Sequence, residues 1–185
     1  MLWLKNWATY IANLIILKKI IIYLLLGLIY SNDQIIPLSD DVIIGELDNG
    51  FKYYLLQNSK PKNRVELRLA VNIGSIDEED DQQGIAHFVE HMCFNGTEKY
   101  PKNELVEYLE SIGTAFGPDL NAYTSFDETV YMLSIPTDDS TKFVSGIEIL
   151  SEWAHFVSFD EEEIDKERGV VIEEWRRRRG ASARM

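Results

Sequence analysis

Two of the three histidines in this chain lie in one five-residue segment, His87-Phe88-Val89-Glu90-His91. The pattern is H-x-x-E-H, and Gly84 precedes it. In a helix, residues i, i+3 and i+4 share a face, so His87, Glu90 and His91 would project from the same side. Two imidazoles one turn apart can both reach a single zinc ion at about 2.0–2.1 Å. The segment therefore predicts a helix that binds a metal ion.

Glu90 stands beside the second histidine, where its carboxylate can take a proton from a water molecule activated by the ion. The alternative is an amphipathic helix with a solvated polar face, on which two histidines meet by chance. Histidine is rare here, and H-x-x-E-H is the signature of the inverted zinc proteases. The pattern favours a zinc-dependent hydrolase.

Two histidines do not complete a catalytic zinc site, which usually has three protein ligands. The last predicted helix offers Glu167 and Glu174, which are two helical turns apart. Both fall close to the strip formed by Ile164, Val171 and Trp175, which we predict to be the buried face of that helix.

A carboxylate near a buried strip needs a cation or hydrogen-bond donors. Either Glu174 or Glu167 is therefore predicted to bind the metal, and the other to orient a histidine. Helical phase does not choose between them. The alternative is that both reach water or pair with arginines such as Arg168 or Arg177.

Charge and cysteine content narrow the class of protein. The 185 residues carry a net charge of −13, which argues against a nucleic-acid partner. Cys93 is the single cysteine, so no disulfide can form within the chain. We predict a buried, unreactive thiol there, although its closeness to the motif makes oxidation or metal binding an alternative. His155 has no partner at metal-ligand spacing, and we predict a surface or packing residue.

The N-terminus has the composition of a targeting segment. Lys18-Lys19 interrupts a mostly apolar stretch, and Ile20–Tyr30 is an unbroken apolar run followed by Ser31. A basic pair before such a run is typical of a secretory signal peptide. Ile29 and Ser31 make a poor cleavage site, and the two apolar pieces together approach the span of a bilayer, so an uncleaved signal-anchor is the alternative. Both predict export, to the periplasm or the outside of the cell, with or without retention at the membrane.

The remaining chain alternates predicted strands and helices after a leader (1–31) and a linker (32–41). Asn49-Gly50 between two β-rich runs predicts a hairpin. Strands are predicted at Val42–Leu47, Phe51–Gln57, Arg64–Ile73, Phe116–Ser125 and Thr129–Ile135. Helices are predicted over the motif, at Asn103–Ile112, from Pro136 to about Val157, and from Ser158 and Asp160 towards Arg179. The apolar stripe of the third of these helices is predicted to be Phe143, Ile147, Leu150 and Ala154. The expected fold class is α+β, a mixed or mainly antiparallel sheet with helices on one face, within one domain at 42–185.

Several of these segments together resemble the pitrilysin/insulinase family of zinc metallopeptidases, in particular its bacterial zinc-protease members. The resemblance covers roughly Leu38 to the C-terminus. It rests on His87–Met92, Asn95-Gly96-Thr97, Asn121-Ala122-Tyr123-Thr124-Ser125 and Glu167–Trp175.

The resemblance implies one zinc ion bound by His87, His91 and Glu174, with Glu90 as general base. Glu167 matches the second acidic residue of the family, which supports the site without binding the metal. Residues 121–125, with Asn121, Ala122 and Tyr123 as substrate-binding residues, match the edge strand on which such enzymes align a peptide by β-addition. The implied reaction is peptide-bond hydrolysis of a peptide or unfolded protein by a zinc-activated water.

Members of the family are built from homologous halves, and residues that stabilise the transition state come from the C-terminal half. This chain ends soon after Glu174, so we expect a fragment, or a second half supplied by another polypeptide. The alternative to an active endopeptidase is an incomplete or non-catalytic scaffold that binds zinc or a partner subunit. A third hypothesis is a metal-dependent hydrolase of small molecules, which an open edge strand beside the site would disfavour.

Overall fold

The computed structural model describes residues 18–19 and 37–178. The predicted leader, apart from Lys18 and Lys19, and residues 32–36 of the predicted linker lie outside this range. Within the described residues, no helix is both long and apolar enough to cross a membrane. The chain divides into two compact units, residues 1–57 and 58–185, and each is described by itself.

Residues 42–56, in the described part of the first unit, form a β-hairpin. Strand β1, Val42–Glu46, pairs antiparallel with strand β2, Lys52–Leu56. The connection contains Asn49-Gly50, and Gly50 has a φ of 84°, a left-handed conformation that glycine adopts without steric cost. The predicted hairpin is confirmed, with each strand a residue or two shorter than predicted.

The described part of the second unit contains a three-stranded antiparallel sheet and four helices. The strands are β3, Arg64–Val71, β4, Leu120–Thr124, and β5, Thr129–Pro136, in the spatial order β3-β5-β4. The helices are α1, Ile85–Met92, α2, Glu104–Ser111, α3, Ser140–His155, and α4, Glu161–Arg178. The predicted α+β class is confirmed.

One face of this sheet carries the core. Alternation along β3 buries Leu67 and Leu69, and the register with β5 places Leu133 and Tyr131 opposite them. Helices α1 and α3 both pack on this face. The core comprises Leu67, Leu69, Cys93, Leu105, Leu109, Leu120, Tyr131, Leu133, Ile135, Ile149 and Trp153.

The buried face of α3 differs from the predicted stripe. Phe143, Ile147 and Ala154 are exposed, and Leu150 is half-buried. The residues that face the sheet are Gly146, Ile149, Glu152 and Trp153. A Cβ at Gly146 would lie 2.3 Å from Ile135 Cδ1, so the helix approaches the sheet through the one residue that lacks a side chain. A hydrophobicity count overlooks glycine, and the predicted stripe was therefore rotated by about one residue.

Two smaller predictions were wrong. Trp175, expected on the buried strip of α4, is 54% exposed, whereas Ile164 and Val171 on that strip are half-buried. Strand β4 begins at Leu120 and not at Phe116, where the predicted strand begins. The Asp119 carboxylate accepts the Ala115 N–H and holds the residues before Leu120 in a turn.

Candidate metal centre

Helix α1 begins at a glycine and is capped from a distance. Gly84 has a φ of 92°, and as a glycine it has no side chain that could cap the helix. The Glu78 carboxylate takes that role, because its Oε2 accepts the Gly84 N–H at 2.7 Å and its Oε1 accepts the Ala86 N–H at 2.8 Å. A negative charge at the positive end of the helix also complements the helix dipole. The start of the motif helix is thus fixed by a residue that lies outside both the helix and the motif.

Helices α1 and α4 bring three of the predicted ligands together. His87 Nε2 lies 3.2 Å from His91 Nε2, as expected for side chains one turn apart on a helix. Glu174 Oε2 lies 3.6 Å from His87 Nε2 and 3.8 Å from His91 Nε2. The three side chains are half-buried, and all three line an open cavity.

The other predicted carboxylate, Glu167, is not part of this triangle. His91 Nδ1 donates to Glu167 Oε1 at 2.6 Å, and Asn95 Nδ2 donates to Glu167 Oε2 at 2.6 Å. A proton on Nδ1 leaves the lone pair of the His91 Nε2 free to face Glu174 and His87. Glu167 therefore fixes the tautomer and the ring orientation of His91, while Asn95 fixes Glu167.

The residues fit a zinc ion. Tetrahedral ligands at about 2.0–2.1 Å from an ion are separated by about 3.3–3.4 Å, and the three separations measured here scatter around that value. Two imidazole nitrogens and one carboxylate oxygen form a donor set of the kind found in catalytic zinc sites. When both Nε2 atoms are unprotonated, their lone pairs and the Glu174 carboxylate repel one another in a half-buried site, and a cation between them removes that cost.

Glu90 lies between the two histidines in sequence but makes a different contact. Its side chain is 9% exposed, and its Oε2 accepts a hydrogen bond from Thr124 Oγ1 at 2.5 Å. This distance is typical of a hydroxyl that donates to an ionised carboxylate. The contact ties the motif helix to the end of strand β4.

An open cavity of about 580 Å³ lies over these residues. His87, Glu90, His91, Glu167 and Glu174 all line it. Its remaining wall is formed by Phe94, Asn95, Asn103, Val106, Glu107, Phe116, Asn121 and Ala122. The sequence reading missed the apolar part of this wall, Phe94, Val106 and Phe116, because these residues lie on three different segments that only the fold brings together.

Strand β4 borders the cavity as an edge of the described sheet. Asn121 and Ala122 reach the cavity, and the Ala122 N–H is bonded by Asn121 Oδ1 at 2.9 Å rather than by β5. Tyr123 does not line the cavity, and its hydroxyl donates to Glu128 Oε1 at 2.7 Å. Of the three residues predicted to bind substrate, the structure places two at the cavity and the third away from it.

Cys93 is buried beside the site and takes no part in it. Its exposure is 1%, and its thiol donates to Tyr131 Oη at 3.2 Å. Burial raises the pKa of the Cys93 thiol to about 11, despite the opposing effect of the Tyr131 hydrogen bond. A protonated thiol is a poor nucleophile and a poor metal ligand. The predicted burial of Cys93 is confirmed, and His155 is exposed, as predicted.

Most of the chain matches a known protein family. Residues 53–180 match the family model described as insulinase, peptidase family M16. The chain belongs to this family. The predicted relationship is thereby confirmed, and the matched range includes every candidate site residue named above.

The most similar relatives of this M16 chain include bacterial zinc proteases. It is 45% identical over 148 residues to a protein named probable zinc protease PqqL of Haemophilus influenzae. Among solved structures, the first half of the periplasmic protease PqqL of Escherichia coli matches with a TM-score of 0.76 and 46% identity over 80% of this chain. A mutant of the ferredoxin protease FusC in complex with Arabidopsis ferredoxin matches with a TM-score of 0.68 and 35% identity over 76% of this chain.

The chain spans only part of these relatives. The match covers 80% of this chain but 16% of the Haemophilus influenzae protein. It covers 31% of the Escherichia coli first-half structure and 16% of the FusC chain.

Proposed function

We propose that this chain forms the metal centre of a zinc endopeptidase, with His87, His91 and Glu174 as ligands of one zinc ion. The observation that carries the proposal is the convergence of these three side chains within 3.2–3.8 Å of one another. Zinc bound there supplies Lewis-acid polarisation of a peptide carbonyl and lowers the pKa of a water molecule. Glu167 acts through His91, whose Nδ1 proton it holds.

Glu90 is the proposed general base. It shares the helix face of the two histidines and lines the same cavity. Its Oε2 is engaged by Thr124, which leaves Oε1 to take the proton of the attacking water and later to deliver it to the leaving amine nitrogen. The carboxylate is nearly buried, so little bulk water competes for that oxygen.

A peptide or an unfolded segment is the proposed substrate. Strand β4 is an edge strand beside the cavity, and an extended peptide can pair with such an edge through backbone hydrogen bonds. Asn121 and Ala122 are the residues of β4 that line the cavity. We propose that the backbone of Tyr123 extends this edge, since its hydroxyl is bonded to Glu128 and its side chain does not line the cavity. An open cavity with such a border suits an extended chain better than a compact small molecule.

The alternative proposal is an incomplete segment that binds zinc without turnover. It is favoured by one observation, that the chain spans 16% of its curated relatives. We propose that residues 42–185 belong to the metal-binding domain and that a second homologous half supplies the groups that stabilise the transition state. We also propose export directed by residues 1–31, a proposal supported by the description of the Escherichia coli relative as periplasmic.

Zinc stoichiometry of the purified chain, combined with cleavage of an internally quenched peptide, tests the proposal. We expect one zinc ion per chain. The Glu90→Gln variant should keep that zinc and lose all turnover, because the substitution removes the base and no ligand. Glu66→Gln, on the opposite face of the sheet, serves as the matched control and should change neither quantity.

The outcomes separate the two proposals. One zinc ion with cleavage that Glu90→Gln abolishes supports the endopeptidase. One zinc ion without cleavage by the chain supports the incomplete segment. A folded chain that binds no zinc would contradict both, and loss of zinc in Glu90→Gln would contradict the role assigned to Glu90.

A further inference from the structure

Thr124 makes the hydrogen bond that holds the Glu90 carboxylate. Its Oγ1 donates to Glu90 Oε2 at 2.5 Å, within the range of charge-assisted bonds between a hydroxyl and a carboxylate. Glu90 is 9% exposed, so water cannot easily replace this donor. A buried carboxylate without a donor is costly, and the bond therefore selects one orientation of the side chain.

The hydroxyl of Thr124 is itself held in place by the sheet. Thr124 is the last residue of β4 and pairs with Thr129, the first residue of β5. Thr129 Oγ1 donates to the Ile73 carbonyl at 2.9 Å and lies 3.3 Å from Thr124 Oγ1. Thr129 is 5% exposed. The position of Thr124 Oγ1 is thus set by packed backbone rather than by a mobile loop.

We propose that Thr124 is a positioning residue that orients Glu90 for proton transfer. The inference rests on the proposed function, because it assigns to Glu90 the role of base. Holding Oε2 against the sheet leaves Oε1 as the oxygen that acts in the cavity. The same strand carries Asn121 and Ala122 at the cavity wall, so the orientation of the base and the border for the substrate share one rigid element.

The experiment compares three variants of the full chain. Thr124→Val replaces the hydroxyl with a methyl group of similar size, and Thr124→Ser keeps the hydroxyl. Thr114→Val is the matched control, because Thr114 is a buried threonine whose hydroxyl donates to the Ser134 carbonyl, away from Glu90. Circular dichroism checks that each variant is folded.

The first measurement is the χ1 population of Glu90 in the metal-free chain, obtained from three-bond NMR couplings. We expect one dominant rotamer in wild type, Thr124→Ser and Thr114→Val, and averaging among rotamers in Thr124→Val. A single rotamer in Thr124→Val, or averaging in Thr124→Ser, would overturn the inference. This measurement needs neither zinc nor turnover, so its result is independent of whether the chain is a peptidase.

The second measurement is peptide cleavage by the zinc-loaded chain. Thr124→Val should lower kcat by about 10–100-fold, as expected for a misplaced catalytic group, with KM and zinc affinity within about twofold of wild type. Thr124→Ser should restore kcat to within about threefold. A higher KM or a lower zinc affinity, with kcat unchanged, would overturn the inference. A wild-type chain that orders Glu90 through Thr124 but cleaves no peptide would contradict the proposed function alone.

Discussion

The carboxylates of Glu167 and Glu174 meet different atoms, although both residues lie on α4 and face α1. Both oxygens of Glu167 are already occupied, one by His91 Nδ1 and one by Asn95 Nδ2. Glu174 Oε2 instead faces the Nε2 atoms of two histidines at 3.6 and 3.8 Å. This difference supports the proposed roles, with Glu174 as a metal ligand and Glu167 as the residue that orients His91.

This difference predicts the order of two substitutions. Glu167→Gln should weaken zinc binding by about 10–100-fold. The substitution replaces one carboxylate oxygen with an NH2 group, which cannot accept a hydrogen bond from His91 or Asn95. Glu174→Gln should weaken zinc binding more than Glu167→Gln does, since it removes a charged ligand. Competition with a zinc chelator measures both affinities, and Glu173→Gln, an exposed position between them, is the control. The opposite order would exchange the two roles.

For single residues, the sequence predicted which side chains belong to the candidate site but not which side chains they contact. Helical phase predicted that His87, Glu90 and His91 share a face and that Glu167 and Glu174 lie near a buried strip. It could not separate the two carboxylates, because the distinction depends on Asn95, which follows α1 and contacts a residue 72 positions later. Thr124 was hidden for the same reason, since a hydroxyl 34 residues from Glu90 has no local signature.

Helix α1 is short, and its first turn depends on a carboxylate outside the helix. Glu78 accepts the N–H groups of Gly84 and Ala86, which an isolated helix would leave without partners. Loss of such a cap costs about 0.5–2 kcal/mol. Because α1 carries His87 and His91, a frayed first turn disturbs the metal site as well as the fold.

We therefore predict that Glu78→Ala lowers the free energy of unfolding by about 0.5–2 kcal/mol, and the Tm by about 2–4 °C per kcal/mol for a chain of this length. Thermal and urea denaturation of the metal-free chain measure these changes. Glu79→Ala is the matched control, since Glu79 is the adjacent exposed carboxylate. Equal effects of the two substitutions would mean that the cap contributes nothing beyond surface charge.

Periodicity predicted elements well where side chains alone determine the buried face. The strand β3 and the Asn49-Gly50 hairpin were predicted correctly because each depends on neighbours in sequence. The stripe of α3 was wrong because its contact with the sheet is made through Gly146, whose close approach to Ile135 and Leu67 is a property of the assembled layers. Apolar periodicity fails where the absence of a side chain determines packing.

In the second unit as a whole, α4 is joined to the other elements through α1. Its contacts there are largely polar, through Glu167 and Glu174, whereas Val170, Ile172 and Trp175 on the same helix are 42–54% exposed. Little apolar burial therefore fixes α4 against the sheet. A zinc ion shared by α1 and α4 would add a cross-link between the two helices where hydrophobic packing is weakest.

Zinc should therefore stabilise the chain and protect α4 in particular. At a free zinc concentration 100-fold above its Kd, the gain is about 2.7 kcal/mol, which corresponds to a rise in Tm on the order of 5–10 °C. Hydrogen exchange should slow most over residues 161–178 and least in β3 and β5, whose ladder is formed without metal. Glu174→Gln should lose most of both effects, because the ion would then be held from α1 alone. Protection spread evenly over the unit would mean that α4 is already fixed without zinc, and the metal would then act only in chemistry.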